Sequence, residues 1–337
     1  MNKSNIFLVH TEYHLMIAIR IITSHYNSNN RNFIYVAGDR IHLCSNTNSA
    51  NIEYVSLPPK DFGTREVLGN MINTHPDVLF FFQENSSDNI FLTNRLSSLG
   101  VRVVLLQDGY KPYPIWHKRH RLLSELQTTL IFYKQMIKRK AVIPTIIKCS
   151  FNYGHLPWID EVWLDYPDSF RDNHKHFRKT IKKLPPMNDV LLKELGHALG
   201  YNCESIYNSV IYIGQPVTDV CQEAERVFIQ QVINKFPDKQ FLYKPHPNMK
   251  KIQLDGILSI DGVTLFNLAI PAEMIMLYSH NSIFLSPYSA SLLTYVESNN
   301  FYWIHKIFNG KGRLFEQLQI VNPTNHIKEI LGVEDVI

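Results

Sequence analysis

The stretch VRVVLLQDG, residues 101–109, decides the fold because it joins a short apolar run to an acidic turn. A short apolar run bounded by turn residues is typical of a strand covered on both faces in a parallel α/β sheet. Asp108 then lies at the carboxyl end of the strand, the edge at which open α/β sheets bind ligands. Gly109 lets the backbone turn sharply there. Asp108 is either a functional carboxylate at a ligand site or part of an ordinary Asp-Gly turn.

Short apolar runs recur along both halves of the chain. Strands are predicted over residues 6–9, 33–37, 52–57, 78–82, 101–106 and 161–164, and again over residues 210–213, 240–243, 282–285 and 301–304. Helix-length segments separate them, including residues 217–235 and 271–278. This alternation indicates βαβ units and parallel sheets. We therefore predict an α/β fold with two doubly wound domains, residues 1–165 and 206–337, joined by a charged linker over residues 166–205.

The composition is that of a globular protein: 337 residues, 45% hydrophobic and 19% charged. A net charge of +4 and a pI near 8.7 favour anionic ligands or an anionic surface, and nucleic-acid binding is not expected. The sequence shows neither a secretory signal nor a membrane-spanning run, so we expect a cytoplasmic protein. Its four cysteines form no CxxC pair. We therefore expect neither a zinc site nor a disulfide framework. The sequence also contains no convincing acidic metal cluster, so we expect no metal and no cofactor.

A basic segment over residues 118–140 interleaves lysine and arginine with leucine and isoleucine. A basic amphipathic helix of this kind can lie on an anionic membrane surface. The alternative is a helix packed on the core, with a basic face in water.

Three stretches of the second half carry candidate ligand-binding residues. In FLYKPHP, residues 241–247, two prolines hold His246 rigidly at a strand end beside Lys244, which suits either anion binding or an ordinary structural histidine. Glu273 opens the helix predicted over residues 271–278, where it complements the helix dipole or accepts hydrogen bonds from a ribose. In FLSPYSAS, residues 284–291, Ser289 and Ser291 open a predicted helix, whose amides would be free to bind a phosphate.

Together these stretches resemble the bacterial sialyltransferases, enzymes that transfer sialic acid from a CMP donor. The matching motifs, in the order of the family, are Gln107-Asp108-Gly109, His246-Pro247, Pro271-Ala272-Glu273 and Ser289-Ala290-Ser291, with Tyr212-Ile213-Gly214-Gln215-Pro216 similar to the first strand of the family's second domain. Gln107 replaces a second acid, and Ala290 interrupts a pair of hydroxyl residues. The KPHP motif also occurs in transferases that use CMP-Kdo or CDP-glycerol, so the donor stays open between these cytidine nucleotides.

The resemblance implies the GT-B fold, with two Rossmann-like domains facing a central cleft and a reaction without metal. It implies that Asp108 is the general base and His246 a phosphate ligand and general acid. The other implied donor-binding residues are Lys244, Pro247, Gly214, Gln215, Glu273, Ser289 and Ser291. The residues implied on the acceptor and sugar side are Thr11, His14, Gln107, Gly109 and Tyr110. For His14 the alternative is a side chain that faces the core of its helix.

The predicted function is an inverting transfer of sialic acid, or a related nonulosonic acid, from a CMP donor to a glycan hydroxyl. The acceptor would be a lipopolysaccharide or capsule precursor, lipid-linked or free, used at the inner face of the cytoplasmic membrane. The alternatives are a transferase for CMP-Kdo or another cytidine donor, and a non-catalytic scaffold, which Gln107 and Ala290 motivate.

Overall fold

The structure is a computed structural model that describes residues 3–26, 30–38, 41, 43–44, 51–116, 118–138, 153–187, 189–200, 204–215, 222–266, 270–308 and 318–337. The chain divides into two compact units. Unit 1 consists of Met1–Pro112 and Lys118–Asn202, and unit 2 of Tyr113–His117 and Cys203–Ile337. A central cleft between the two units stays a prediction.

Unit 1 contains a seven-stranded sheet. Its strands are β1 (Ser4–Val9), β2 (Arg31–Val36), β3 (Ile52–Ser56), β4 (Val78–Phe81), β5 (Arg102–Leu106), β7 (Glu161–Leu164) and β8 (Thr180–Lys183), while β6 (Ile115–Trp116) belongs to unit 2. The order is β3-β2-β1-β4-β5-β7-β8, and all neighbours are parallel. The helices are α1 (Glu12–His25), α2 (Arg65–Asn73), α3 (Ser87–Ser98), α4 (Lys118–Lys138), α5 (Pro167–Asn173) and α6 (Asp189–Leu199).

The central strands of this sheet are apolar runs because both of their faces are covered. Every residue of β1, β4 and β7 is buried. Phe7 and Phe80 stack across β1 and β4 with ring centroids 4.6 Å apart. The strand order reverses between β1 and β4, and such a reversal marks the usual ligand site of a doubly wound sheet.

Unit 2 contains a six-stranded sheet and two small two-stranded sheets. Its further strands are β9 (Ile206–Tyr207), β10 (Ser209–Ile213), β11 (Gln240–Lys244), β12 (Val263–Leu265), β13 (Ser279–His280), β14 (Ile283–Ser286), β15 (Asn300–Trp303), β16 (Leu318–Gln319) and β17 (Ile327–Glu329). Its helices are α7 (Gln222–Lys235), α8 (Lys251–Leu258) and α9 (Ala272–Leu277). The main order is β12-β11-β10-β14-β15-β17, again parallel throughout, with a reversal between β10 and β14.

The α/β fold and all ten predicted strands are confirmed, with ends shifted by one or two residues. Helix α7 begins at Gln222, since residues 217–221 lie outside the described part of the chain. The predicted linker over residues 166–205 needs correction, because it contains α5, β8 and α6. Strand β8 extends the sheet of unit 1, and α6 packs against α1. Arg20 on α1 also donates a hydrogen bond to the Pro185 carbonyl.

The helix predicted to begin near Ala290, with Ser289 as its N-cap, is instead a four-residue 3₁₀ turn, Ala290–Leu293. The β-branched residues Thr294 and Val296 follow it, and such residues do not favour continuation as an α-helix. Among the helices of the described residues, none is both long and apolar enough to cross a membrane.

Candidate functional site

Asp108 and His14 form a hydrogen-bonded pair at the carboxyl edge of the sheet in unit 1. Asp108 is the second residue after β5, and Gly109 after it takes a φ of 57°, which favours glycine. His14 lies in the first turn of α1, which Thr11 caps by accepting the His14 backbone N–H at 3.2 Å. Nε2 of His14 is 3.1 Å from Oδ1 of Asp108. The imidazole also stacks on Phe82, with centroids 3.9 Å apart.

The surroundings of His14 determine its proton position. The backbone N–H of His10 donates to Nδ1 of His14 at 3.2 Å, so that nitrogen carries no proton. Nε2 therefore carries the proton and donates it to Asp108. Burial lowers the pKa of His14, and the hydrogen bond to Asp108 opposes this effect only in part. His14 is thus a neutral donor that is both buried in the core and paired with the candidate base.

The second carboxylate oxygen of Asp108 pairs with the ammonium group of Lys111. Burial alone would raise the pKa of Asp108, but the hydrogen bond from His14 and the Lys111 charge outweigh burial, and the pKa lies well below its usual range. Asp108 is therefore ionised at neutral pH. The hydroxyl of Tyr153 accepts the Asp108 backbone N–H at 3.1 Å and donates to the Leu106 carbonyl, which fixes the end of β5.

Gln107 is buried and joins the ends of two neighbouring strands, β5 and β7. Its amide nitrogen donates to the Tyr13 hydroxyl at 3.1 Å and to an Asp165 carboxylate oxygen at 3.2 Å. Its amide oxygen accepts the Asp165 backbone N–H at 2.8 Å. These bonds give Gln107 a positioning role beside Asp108. The acceptor-side roles of Gln107 and of the half-buried Tyr110 stay predictions.

His10 follows β1 directly and was missed by the sequence reasoning. Its Nδ1 lies 3.2 Å from the Ala37 carbonyl, which can only accept, so Nδ1 carries the proton and Nε2 accepts from Asn89 at 3.2 Å. Burial, followed by the proximity of His14, lowers the pKa of His10 to about 4. The signal was present in LVHTEYH, because His10 stands at a strand end as Asp108 does.

A cavity of about 540 Å³ opens beside His10, near the reversal point of the sheet. This volume lies in the range of small-molecule sites. Its wall is lined by His10, Pro59, Lys60, Asp61, Phe62, Gln83, Asn85, Ser86, Ser87, Asp88, Thr128, Ile131 and Phe132. The wall combines amide and hydroxyl side chains and two phenylalanine rings with the charged side chains of Lys60, Asp61 and Asp88, a mixture that suits a polyhydroxylated ligand.

The predicted donor residues of unit 2 lie along the carboxyl edge of its own sheet. Lys244 ends β11, and its ammonium group lies 5.8 Å from the centroid of the Phe266 ring. His246 follows and is half-buried, whereas Pro247 is exposed. Nδ1 of His246 accepts the Asn248 backbone N–H at 3.1 Å. The proton of the neutral ring is therefore on Nε2, the nitrogen that could donate to an anion.

Gly214 and Gln215 follow the neighbouring strand β10. A Cβ atom on Gly214 would lie 2.4 Å from the Tyr243 hydroxyl, so only glycine fits without a shift of that ring. The Gln215 carbonyl accepts from the side chain of Gln253 at 3.3 Å. The turn at Gly214 and Gln215 is therefore held by close packing on Tyr243 and by the hydrogen bond from Gln253 of α8.

Ser286 ties β14 to β10 at the reversal point. Its hydroxyl donates to the Ile213 carbonyl at 2.9 Å and accepts the Ser289 backbone N–H at 3.1 Å. Ser289 in turn accepts the Ser291 backbone N–H at 3.3 Å. Because the segment is a 3₁₀ turn, it lacks the longer helix whose amides were expected to bind phosphate. Glu273 is buried in the first turn of α9, a helix of six residues.

A buried carboxyl group lies behind this edge. The Tyr212 hydroxyl donates to Oε1 of Glu225 at 3.0 Å, and Glu225 is completely buried. Burial raises the pKa of Glu225 to about 7, against hydrogen bonds with Tyr212 and Gln253 that lower it. Within the described residues no group of three or more His, Cys, Asp or Glu side chains could hold a metal ion.

Two doubly wound α/β units of this kind define the GT-B glycosyltransferase fold. One similar solved structure is the GT-B domain of a Photobacterium damselae sialyltransferase, with 14% identity, 97% of this chain and 100% of that chain covered, and a TM-score of 0.50. Another is the 2,6-sialyltransferase of Photobacterium sp. JT-ISH-224 in complex with CMP and lactose. The identity is 14%, the alignment covers 90% of this chain and 71% of that chain, and the TM-score is 0.53.

A putative UDP-N-acetylglucosamine 2-epimerase of Listeria monocytogenes is also similar. The identity is 9%, the alignment covers 87% of this chain and 76% of that chain, and the TM-score is 0.53. Neither a protein-family model nor a curated protein sequence matches the chain. At these identities the similarity establishes the fold.

Proposed function

We propose that the protein is an inverting glycosyltransferase that moves sialic acid, or a related nonulosonic acid, from a CMP donor to a glycan hydroxyl. The observation that carries the proposal is the ionised Asp108, which His14 orients at the carboxyl edge of the first GT-B sheet. An oriented carboxylate at this edge suits a general base. The similar 2,6-sialyltransferase, which was solved with CMP and lactose, supports the choice of donor.

Asp108 would accept the proton of the acceptor hydroxyl through Oδ2. Oδ1 is occupied by His14, whereas the partner of Oδ2 is Lys111, whose side chain is 62% exposed and free to swing away. The acceptor oxygen then bonds to the anomeric carbon while the bond from that carbon to the CMP phosphate oxygen breaks. The bonding electrons leave with CMP, and the hydroxyl proton ends on Asp108. A single displacement of this kind inverts the anomeric centre.

His246 and Lys244 would stabilise the negative charge that develops on the departing CMP phosphate. Nε2 of His246 is the donor in this step, because Nδ1 is used by the Asn248 backbone. Gly214, Gln215 and Pro247 would bring the backbone close to the nucleotide, Glu273 would accept from the ribose hydroxyls, and Ser289 with Ser291 would donate to the phosphate. With these groups present, the proposed reaction uses no metal ion or other cofactor.

We assign the cavity beside His10 to the acceptor glycan. Its hydroxyl and amide groups match sugar hydroxyls, and Phe62 and Phe132 offer apolar ring faces. His10 connects the cavity wall to the pair of His14 and Asp108 through its backbone N–H. The acceptor class that we propose is a lipopolysaccharide or capsule precursor, presented at the inner face of the cytoplasmic membrane.

The proposal is tested by release of CMP from CMP-sialic acid with a panel of galactoside acceptors, in the presence of a metal chelator. Turnover with chelator present is expected. Turnover with CMP-Kdo alone would reassign the donor, and stabilisation of the protein against heat by UDP or GDP, but not by CMP, would overturn the cytidine assignment. A scaffold protein would bind these nucleotides weakly or not at all, and Asp108→Ala would leave its cellular role intact.

A further inference from the structure

Helix α4 turns apolar side chains toward water. Among the α4 residues whose side chains the structure describes, those that are exposed are Leu123, Leu126, Gln127, Leu130, Ile131, Lys134 and Ile137. They follow one another at intervals of one or three residues that place them on one face of a helix. Leu126 is 59% exposed, Leu130 63% and Ile137 77%. The exposed face is therefore mainly apolar, which reverses the usual pattern of a surface helix.

The opposite side of α4 faces the interior of unit 1. Phe132 and Glu125 are buried there, with Glu125 only 2% exposed. Glu125 is also the one acidic residue in the sequence of α4, whereas lysine and arginine occur at five positions. Helix α4 thus combines an exposed apolar face with a net positive charge, and its one acidic side chain is buried.

We propose that this exposed face of α4 docks on an anionic lipid bilayer. A contiguous apolar surface on a water-soluble protein marks an interaction site. Helices that lie in the membrane interface combine an apolar face with lysine and arginine, as α4 does. A second copy of the chain is disfavoured as the partner, because a two-fold contact would bring one positively charged helix against another. Phosphatidylglycerol headgroups would instead complement the charge of Lys134.

This inference goes beyond the proposed reaction and does not depend on it. It has a consequence for the cavity in unit 1, because Thr128, Ile131 and Phe132 of the same helix line that cavity. Docking of α4 would hold the cavity close to the lipid headgroups, where a lipid-linked acceptor presents its sugars. This last step rests on the assignment of the cavity to the acceptor.

The test is flotation of the full chain with vesicles of phosphatidylcholine, with and without phosphatidylglycerol. We expect binding to the anionic vesicles and little binding to the neutral ones. The double substitution Leu126→Gln with Leu130→Gln should lower the partition coefficient by about tenfold or more. The matched control is Ile252→Gln with Leu331→Gln, two exposed apolar residues of unit 2, which should bind as the unsubstituted protein does.

Two further measurements separate a lipid surface from a protein surface. Brominated lipids should quench the fluorescence of a Leu126→Trp variant if this side chain enters the acyl region. Light scattering should show the same mass for the unsubstituted protein and the double variant. Absent flotation, equal losses in variant and control, or a dimer that the double variant dissociates would each overturn the proposal. CMP release with a soluble acceptor should be unchanged in the double variant. This assay tests the proposed reaction independently of membrane binding, so one proposal can fail while the other holds.

Discussion

Nε2 of His14 donates to Oδ1 of Asp108 at 3.1 Å, although 94 residues separate the two in sequence. Strand β4 lies between β1, which leads into the helix of His14, and β5, which leads to Asp108. Phe82, the residue after β4, stacks on the imidazole of His14. The backbone of His10 holds the other ring nitrogen. Asp108 therefore stands against a donor whose ring is held by Phe82 and by the His10 backbone, while its other carboxylate oxygen pairs with Lys111.

Asp108→Asn should lower turnover by roughly 10²–10⁴-fold, because the substitution keeps the shape of the side chain and removes the base. Nucleotide affinity should change little, since Asp108 is assigned to the acceptor side. Initial rates and calorimetric titration with CMP provide the two measurements. Near-normal turnover would mean that Gln107-Asp108-Gly109 is an ordinary turn and that Asp108 is not the base.

Lys111→Met should move the acid limb of the pH profile of kcat/KM to higher pH. Activity requires ionised Asp108, and the Lys111 charge is one of the interactions that keep the pKa of Asp108 low. Without that charge the pKa rises, so the base becomes protonated at a higher pH than in the unsubstituted enzyme. Lys175→Met, which removes another exposed lysine of unit 1, is the control and should leave the limb in place. Coincident profiles for all three proteins would contradict the coupling.

His246→Ala should weaken CMP binding as well as turnover. Loss of a charge-assisted phosphate contact costs on the order of 1.5–3 kcal/mol, which corresponds to about a 10- to 150-fold rise in Kd. His280 is an exposed histidine of unit 2 that stacks on Tyr207, so His280→Ala provides a matched control with unchanged affinity. Equal CMP affinity in both variants would mean that His246 does not bind the phosphate.

Glu225→Gln should flatten the dependence of stability on pH. Burial raises the pKa of Glu225 in the folded protein to about 7 from an ordinary value of 4.5, so the folded state holds this proton more tightly than the unfolded chain. The resulting stabilisation is complete below about pH 4.5 and is lost as the pH rises through 7. At pH 8 the loss is on the order of 3 kcal/mol, which the neutral amide avoids.

The measurement is thermal unfolding between pH 5 and pH 8 for the unsubstituted protein, Glu225→Gln and Glu223→Gln. Glu223 lies on the same helix but is exposed, so its substitution should follow the unsubstituted curve. If the curves of Glu225→Gln and Glu223→Gln have the same slope, the buried carboxyl does not titrate in this range.

The central strands could be predicted from the sequence because burial on both faces leaves an unbroken apolar run. Strands β5 and β7 are clear examples. Strand β8, with the sequence TIKK, could not be predicted in this way because it is an edge strand with most side chains exposed. Its charge made residues 166–205 resemble a linker. An edge strand stays in contact with water, so polar side chains replace the apolar run that marks a buried strand.

The site could be predicted only as far as strand ends reveal it. Asp108 and His246 each follow an apolar run, and their places at sheet edges follow from that pattern. The bond between His14 and Asp108 depends on the spatial order β1-β4-β5, which no local pattern contains. In α4 the leucines were expected to face the core or a membrane, and side-chain periodicity alone could not decide which face is buried.

Strand β6 belongs to unit 2, although in the chain it lies between two parts of unit 1. Its pairing partner β16 follows about 200 residues later. A chain made from its amino terminus therefore exposes β6 long before β16 has been synthesised, and closing so long a loop slows folding. Residues 110–112 are all that separate Gly109 from the segment of unit 2 that begins at Tyr113. The loop that carries Asp108 is consequently anchored on its downstream side only after β16 has left the ribosome.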